Sequence, residues 1–311
     1  MDNNSANQYD DEIDLRELFG VLWGGKIMII AITAVFAVGS VFYALSIPNQ
    51  YKATALLAPA QADGGGLSSA LGQLGGLASL AGVSIGEGSS NESQIAQEIM
   101  RSWSFVESFI ADNNLEVEVY AAEGWSKNSG ELKIDDDVYD IDTQSWLLED
   151  AETGESRPPT SWELFERFSE MLSVSQDKKS GLVSVSIEYY SPVTAKEWLD
   201  LYVAAINAHM QARQVLKVSN NISYLEDQIS KTSLAEMREV FYTIIEEQTK
   251  NKMVAEASPD YAFLSVSPSM VPEMKSQPKR ALICILGTLL GGMLGVLLVL
   301  IRHYAFPSSD A

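Results

Sequence analysis

IMIIAITAVFAVGSVFYALSI at residues 27–47 and ALICILGTLLGGMLGVLLVLI at residues 281–301 decide the architecture. Neither stretch holds a charged residue, and each runs for 21 residues. That length lets a helix cross the ~30 Å hydrocarbon core of a bilayer. Residues 48–280 lie between them, with tails at residues 1–26 and 302–311. Two crossings put both tails on one side of the membrane and the intervening domain on the other. Ala44-Leu45-Ser46 has the small-x-small form of a signal-peptide cleavage site. However, the apolar run is longer than a signal peptide's, and acids (Asp10, Asp11, Glu12, Asp14, Glu17) precede it instead of lysines or arginines. An uncleaved anchor is therefore expected. Lys26 and Arg302 abut the two spans on the tail side, while Lys52, Lys275, Lys279 and Arg280 lie on the domain side. Cytoplasmic tails are favoured by the abutting pair, although the charge bias is shallow.

The chain carries a net charge of −21, and residues 116–155 hold 13 acids against Lys127 and Lys133. Nucleic-acid binding leaves a basic stripe, and none is present. The single cysteine, Cys284, lies in the second span, so the domain has no disulfide. About 230 residues are enough for one sizeable core without such staples.

Outward from the spans, residues 14–24 (DLRELFGVLWG) place Leu15, Leu18, Phe19 and Leu22 on one helical face, with Trp23 at the interfacial level. This is either a lead-in to the membrane helix or a docking surface for a membrane partner. Residues 51–59 (YKATALLAP) have strand character. Residues 63–90 are glycine-rich yet hold Leu67, Leu71, Leu74, Ala78 and Ala81 near helical spacing. They fit a loop, or a weak helix that orders against a neighbour. One helix is predicted over 91–111, with Ile95, Ile99, Trp103, Val106 and Ile110 as its apolar stripe and Asn91 or Ser93 as its cap. The acidic segment, 115–155, shows strand-like pieces at 115–120 and 138–141 but no clean pattern. A helix capped by Ser161 is expected over 161–171. Alternating runs at 172–176 and 182–190, joined through Lys178, Ser180 and Gly181, predict a hairpin.

Ser191-Pro192 opens a long helical region, 192–256, with Ala195, Trp198, Leu199, Tyr202, Val203 and Ile206 on one face. Ser233-Leu234-Ala235-Glu236 fits a capping box and suggests two helices folded back as a hairpin; one longer helix is the alternative. A last strand is expected at 261–267, followed by a stiff approach with Pro268, Pro272 and Pro278 over 268–278. The whole reads as an α+β domain with a long helical hairpin, flanked by two transmembrane helices.

Residues fit for catalysis are sparse. The two histidines, His209 and His303, stand alone on helical stretches, and no phosphate-binding Gly-x4-Gly-Lys-Ser/Thr loop occurs. Asp135-Asp136-Asp137 superficially resembles the metal–nucleotide signature of some glycosyltransferases, but it sits in a broad charge run that reads as a solvated loop or a loose calcium site. No cofactor and no resident metal are expected. The second span is more specific. Gly287, Gly291 and Gly295 form two overlapping GxxxG repeats, which let membrane helices approach closely. Their partner is left open: the first span, another copy, or a membrane enzyme.

Four pieces carry a family resemblance. They are Glu12-Ile13-Asp14-Leu15-Arg16-Glu17-Leu18 with Leu22-Trp23; Ile47-Pro48-Asn49-Gln50-Tyr51-Lys52-Ala53 with Pro59; Ser191-Pro192-Val193-Thr194-Ala195; and Pro268, Pro272 and Pro278-Lys279-Arg280 before a glycine-rich span. In this order they resemble the Wzz-type chain-length determinants, or polysaccharide co-polymerases. The resemblance covers both ends and the organisation between them; residues 63–159 do not align. It implies a two-pass bacterial inner-membrane protein with its large domain in the periplasm and both termini cytoplasmic. It also implies ring-shaped homo-oligomers that set the modal length of O-antigen or a related surface polysaccharide. The partners it implies are a Wzy-type polymerase and lipid-linked polysaccharide, and the protein itself would not be an enzyme. Pro48, Tyr51 and Pro59 would belong to the family's first periplasmic strand, and Pro268, Pro272, Pro278 and Lys279 to its membrane-proximal motif. Some relatives carry a tyrosine kinase after the second span; with ten residues there, any kinase is expected on a separate chain. The alternative is a capsule or exopolysaccharide export co-polymerase working with such a kinase and an outer-membrane channel. A sensory receptor would need an output domain that the tails do not supply, and an envelope glycosyltransferase would act on lipid-linked sugars without a polymerase.

Overall fold

A computed structural model describes residues 15–60, 88–150 and 153–305. The glycine-rich stretch at 63–90 falls almost wholly outside these residues. The chain divides into two compact units, one made of Met1–Pro48 with Gln277–Ala311 and the other of Asn49–Ser276. In the first unit, α1 (Leu15–Gly24) leads into α2 (Lys26–Ser46), which pairs with the C-terminal helix α9 (Arg280–Ala305). Both α2 and α9 are long and apolar enough to cross a membrane.

The second unit opens with strand β1 (Tyr51–Pro59) and continues through helices α3 (Gly88–Met100), α4 (Trp103–Asn113) and α5 (Glu116–Tyr120). Six short strands follow: β2 (Ala122–Trp125), β3 (Leu132–Ile134), β4 (Tyr139–Asp140), β5 (Ser145–Trp146), β6 (Leu148–Glu149) and β7 (Ser156–Arg157). Then come α6 (Ser161–Met171), β8 (Leu172–Gln176), β9 (Val183–Tyr189), α7 (Pro192–Lys231), α8 (Ala235–Glu256) and β10 (Phe263–Ser267).

The main sheet has the order β10-β1-β9-β8, antiparallel throughout. Strand alternation sends Ala53, Ala55 and Leu57 of β1 to the same buried layer as Val183, Val185, Ile187 and Tyr189 of β9. The first half of α7 covers that layer with Ala195, Trp198, Leu199, Tyr202 and Ile206. Phe109 and Phe168 extend it from α4 and α6, with ring centroids 5.5 Å apart. Tyr202 stands at its centre, 4.8 Å from Phe109 edge-to-face, and gives its buried hydroxyl to the Met100 carbonyl. A buried phenol needs such a partner.

Ser191 caps α7 by accepting the Thr194 amide at 3.3 Å, with Pro192 in the first turn, where its missing amide costs nothing. The 40 residues of α7 make a rod of about 60 Å. After a turn at 232–234, α8 returns alongside it. Gln211 on α7 closes the return by donating to the carbonyls of Ala255 and Ser258 at 2.8 and 3.1 Å.

Several sequence expectations need correction. The helix expected over 91–111 is two, broken at Ser102, whose backbone is extended and whose hydroxyl turns back to Ile99 O at 2.7 Å. Arg101 is drawn aside to the Val174 carbonyl at 2.6 Å. The break resets the helical phase, so Phe105, Val106, Phe109 and Ile110 are buried while Trp103 stays 43% exposed. Residues 116–120, expected to be a strand, form α5, because Leu115 and Val119 bury one face at helical spacing and Val119 N bonds Leu115 O at 2.8 Å. The cap of α6 is Thr160, not Ser161, and it forms a reciprocal capping box with Glu163. The box expected at Ser233–Glu236 does not form. Leu234 takes the cap position without a side-chain bond, since Ser233 is spent in the turn between the two long helices.

The acidic segment folds as three two-stranded hairpins, β2–β3, β4–β5 and β6–β7. The loops of the first and third, and of β8–β9, share one design: Ser126-x-x-Ser129-Gly130, Asp150-x-x-Thr153-Gly154 and Asp177-x-x-Ser180-Gly181. In each, the glycine amide bonds the first residue's carbonyl at 2.8 Å. The first side chain accepts the amide three residues on, at 3.4, 3.0 and 3.3 Å. The glycines have φ of 75, 68 and 72°, the left-handed region where a side chain is strained. Within the acidic segment Asp135, Asp140 and Asp150 organise turns in this way, each accepting a nearby backbone amide.

Candidate functional site: the membrane helix pair and the ties within the domain

Within the helical unit, α2 and α9 run antiparallel and meet through small residues. A Cβ at Gly287 would lie 2.5 Å from Ser40 Cβ; at Gly291, 2.5 Å from Phe36 Cβ and 3.3 Å from Thr33 Cα; at Gly295, 3.1 Å from Ile29 Cα. The three glycines named from sequence thus face the first span. Their neighbour Gly292 looks elsewhere, its nearest contact being Thr33 Oγ1 at 3.8 Å. One contact was missed in the sequence: Gly25, ahead of α2, receives the Val299 side chain, with no room for a Cβ. The signal was available as Gly25, Thr33, Ser40 and Ala44, small residues spaced to share one side of α2. Thr33 and Ser40 spend their hydroxyls on Ile29 O and Ala37 O of their own helix, both at 2.8 Å. The packed face thereby carries no unmet donor. At the end of the pair, Arg280 Nε donates to Ala44 O at 3.0 Å. The outward residues, among them Ile30, Val35, Phe42, Leu286, Leu290 and Met293, are exposed, which suits hydrocarbon as solvent. On α1, Phe19 stacks on Trp23 at 5.9 Å, and the Lys26 ammonium lies 4.8 Å over the Trp23 ring.

Within the domain, Tyr51 begins β1 opposite Tyr189 and sets its ring edge-on to Trp125 at 5.9 Å, while Pro59 ends the strand opposite Phe263. Pro48 falls in the helical unit. Pro268 and Pro272 follow β10, and Pro278 and Lys279 directly precede α9. Prolines have no amide to donate, and the ties here are made by Ser269 and Ser276, which the sequence did not single out, and by Lys275, noted there only for its charge. Ser269 gives its hydroxyl to Asp200 on α7. Ser276 N donates to Gln50 O at 2.8 Å, and its hydroxyl lies 3.0 Å from the same carbonyl and against the Glu188 carboxylate. Lys275 Nζ reaches Asn49 Oδ1 at 3.2 Å. These bonds fasten the chain leaving the domain to the chain entering it.

Elsewhere the ionisable groups serve the fold. His209 packs edge-on against Phe105 at 5.4 Å. Asp135 accepts the Asp137 amide at 3.0 Å, closing a turn. Among the described residues, no three His, Cys, Asp or Glu side chains converge as a metal site would require. Burial, with Glu197 nearby, raises the Glu118 carboxyl above its ordinary value. Hydrogen bonds from Arg157 (2.8 Å to each oxygen) and from the Thr160 backbone depress the Glu163 carboxyl to about 2. A depressed carboxyl stabilises the fold above its unfolded value of 4.5, and that contribution is lost as pH falls toward 2. Because Glu163 is partly solvated, screening limits its worth; glutamine can keep the capping bond, so Glu163→Gln removes only the charge facing Arg157, and a loss of about 1 kcal/mol is expected at neutral pH. Thermal melts of the detergent-solubilised chain should show that deficit at pH 7 and lose it near pH 2; an equal deficit at both would remove the charge from the explanation.

Residues 11–113 match the family model described as Wzz, chain length determinant protein. No curated protein matches the chain by sequence. Two solved structures resemble it. A full-length bacterial polysaccharide co-polymerase is 15% identical with a TM-score of 0.40, covering 96% of this chain and 100% of its own. A fragment of WzzB, the polysaccharide co-polymerase from Salmonella Typhimurium, is 13% identical with a TM-score of 0.32, covering 74% of this chain and 100% of its own. The matched stretch takes in the first membrane helix, β1 and the first helices of the domain, and through residues 11–113 this chain is similar to the Wzz chain length determinants.

Proposed function

We propose that the chain is a non-enzymatic regulator of the modal length of O-antigen or a related surface polysaccharide. It works as a homo-oligomeric ring in the bacterial inner membrane, beside a Wzy-type polymerase that extends lipid-linked polysaccharide. Residues 48–280 are assigned to the periplasm, and tails 1–26 and 302–311 to the cytoplasm. The observation that carries this reading is the match of residues 11–113 to the chain length determinant model. The two membrane-length helices support it as well. A ring would multiply weak contacts with the polymerase or the growing polymer through effective concentration, so that length follows the time the polymerase stays engaged.

The test is a gel of surface polysaccharide from a strain lacking this chain, with and without its return on a plasmid. The expected result is loss of the modal cluster while short, randomly distributed chains are still made, with the cluster restored on complementation. Complete loss of polymer would replace this reading with the capsule or exopolysaccharide export role, and an unchanged ladder would exclude that polysaccharide as the target.

A further inference from the structure

The segment between β10 and α9 keeps three apolar side chains out of the domain. Met270 is 76% exposed, Val271 45% and Met274 84%. The segment is not loose: Ser269 is buried and tied to Asp200, and Lys275 and Ser276 are bonded to Asn49, Gln50 and Glu188. Five consecutive residues, 270–274, are thus held at both ends while two methionines and a valine find no place in the core. Single exposed apolar residues are ordinary on a protein surface; a pinned cluster suggests an apolar partner.

Covalent connectivity identifies that partner. Met274 precedes Arg280, the first residue of α9, by six residues, a reach of at most about 20 Å. Ser276 is bonded to Gln50, which follows Ser46, the last residue of α2, by four, or at most about 14 Å. The charge nearby is also unlike that of the rest of the chain. The chain carries −21 overall, yet Lys52, Lys275, Lys279 and Arg280 outnumber Glu273, the one acid of residues 268–280, where the chain passes between domain and membrane helices. Apolar side chains flanked by cations suit the boundary between anionic headgroups and acyl chains.

We propose that Met270, Val271 and Met274 form a lipid-contact surface that inserts into the headgroup–acyl boundary of the bilayer crossed by α2 and α9. The unbranched methionine side chain adapts to a disordered partner without a fixed complementary shape. This proposal rests on the two helices crossing a bilayer and not on any role in polysaccharide length.

The test uses the full chain in vesicles of phosphatidylethanolamine with a minority of phosphatidylglycerol. In a Cys284→Ser background, Met270→Cys, Met274→Cys, Leu234→Cys and Leu289→Cys are labelled singly with a small environment-sensitive fluorophore. Leu234 lies in the turn between α7 and α8, 66% exposed, and Leu289 lies within α9. The probes at 270 and 274 should shift to the blue. Lipids brominated near the headgroup should quench them roughly twofold, as for groups about 5–10 Å into the boundary, while the probe at 234 responds only to aqueous iodide. Iodide quenching at 274 equal to that at 234 overturns the proposal. Protection from both quenchers also overturns it, because protein would then cover the surface. A probe at 289 untouched by lipid brominated midway along its acyl chains would show that α9 does not cross the bilayer, removing the premise itself.

Discussion

The Gly291→Leu variant is expected to be made at normal levels yet to shift the modal polysaccharide length. At position 291 a Cβ alone would come within 2.5 Å of Phe36 Cβ and 3.3 Å of Thr33 Cα, so the whole side chain cannot enter without parting the helices. Overpacking of this kind costs about 1–3 kcal/mol. In a membrane the cost falls on the contact itself, since lipid solvates the separated apolar helices as well as the joined ones. Gly292→Leu is the matched control: one position along, its nearest atom is Thr33 Oγ1 at 3.8 Å. With immunoblots showing equal protein, Gly291→Leu should move the cluster on the gel and Gly292→Leu should leave it in place. The same ladder from both variants would disconnect the α2–α9 contact from length control.

The second large effect is expected inside the domain. Asn207 on α7 is 3% exposed. Its Oδ1 accepts the amides of Ala262 and Phe263 at 2.9 and 2.8 Å, and its Nδ2 donates to the Phe263 carbonyl at 3.0 Å. One side chain thereby satisfies three backbone groups where the chain enters β10. Asn207→Ala strands all three, at about 1–3 kcal/mol for each group that water does not reach. A net loss of about 3 kcal/mol is expected, lowering the midpoint of thermal unfolding by roughly 6–12 °C for a domain of this size. Hydrogen exchange should localise the damage, with β10 losing protection while β8 and β9 keep theirs. Unaltered protection at residues 263–267 would show that β1 holds that strand without Asn207.

Legibility from sequence followed the strength of the local pattern. The alternation at 172–176 and 183–189 and the apolar run of β1 belong to strands whose one face is the core, so a shift of one residue would expose the entire buried set. Ser191-Pro192 announced α7 because both residues act on the helix's first turn. The break at Ser102 was hidden, since Ile95, Ile99, Trp103, Val106 and Ile110 keep helical spacing across it. What breaks the helix is an arginine reaching Val174, far away in sequence. Residues 116–120 misled through alternating valines in a piece too short for periodicity to choose. The acidic segment was more legible than its charge suggested, because the Ser/Asp-x-x-Ser/Thr-Gly loop occurs at 126, 150 and 177, and the hairpin predicted from the last could have identified the other two. At the membrane helices the glycines were visible as a motif, but their partner face on α2 was not. It is built from Ile29, Thr33, Phe36 and Ser40, with Gly25 just ahead of the helix, so only one member is a glycine.

The long helix has a mechanical consequence. Its buried residues run from Pro192 to Val218, and α8 buries only Ala255, near its own far end. Gln211 fastens the two helices at that level, and beyond Val218 the arm carries the turn at 232–234 without support from the core. The 21 residue steps from Met210 to Lys231 rise about 32 Å, so a tilt of about 10° at Met210 swings the turn through roughly 5 Å. The hairpin is a lever with its fulcrum in the core. A slight change in how Trp198, Tyr202 and Ile206 seat on the sheet is magnified at the tip, where displacement is greatest and resistance from packing is least.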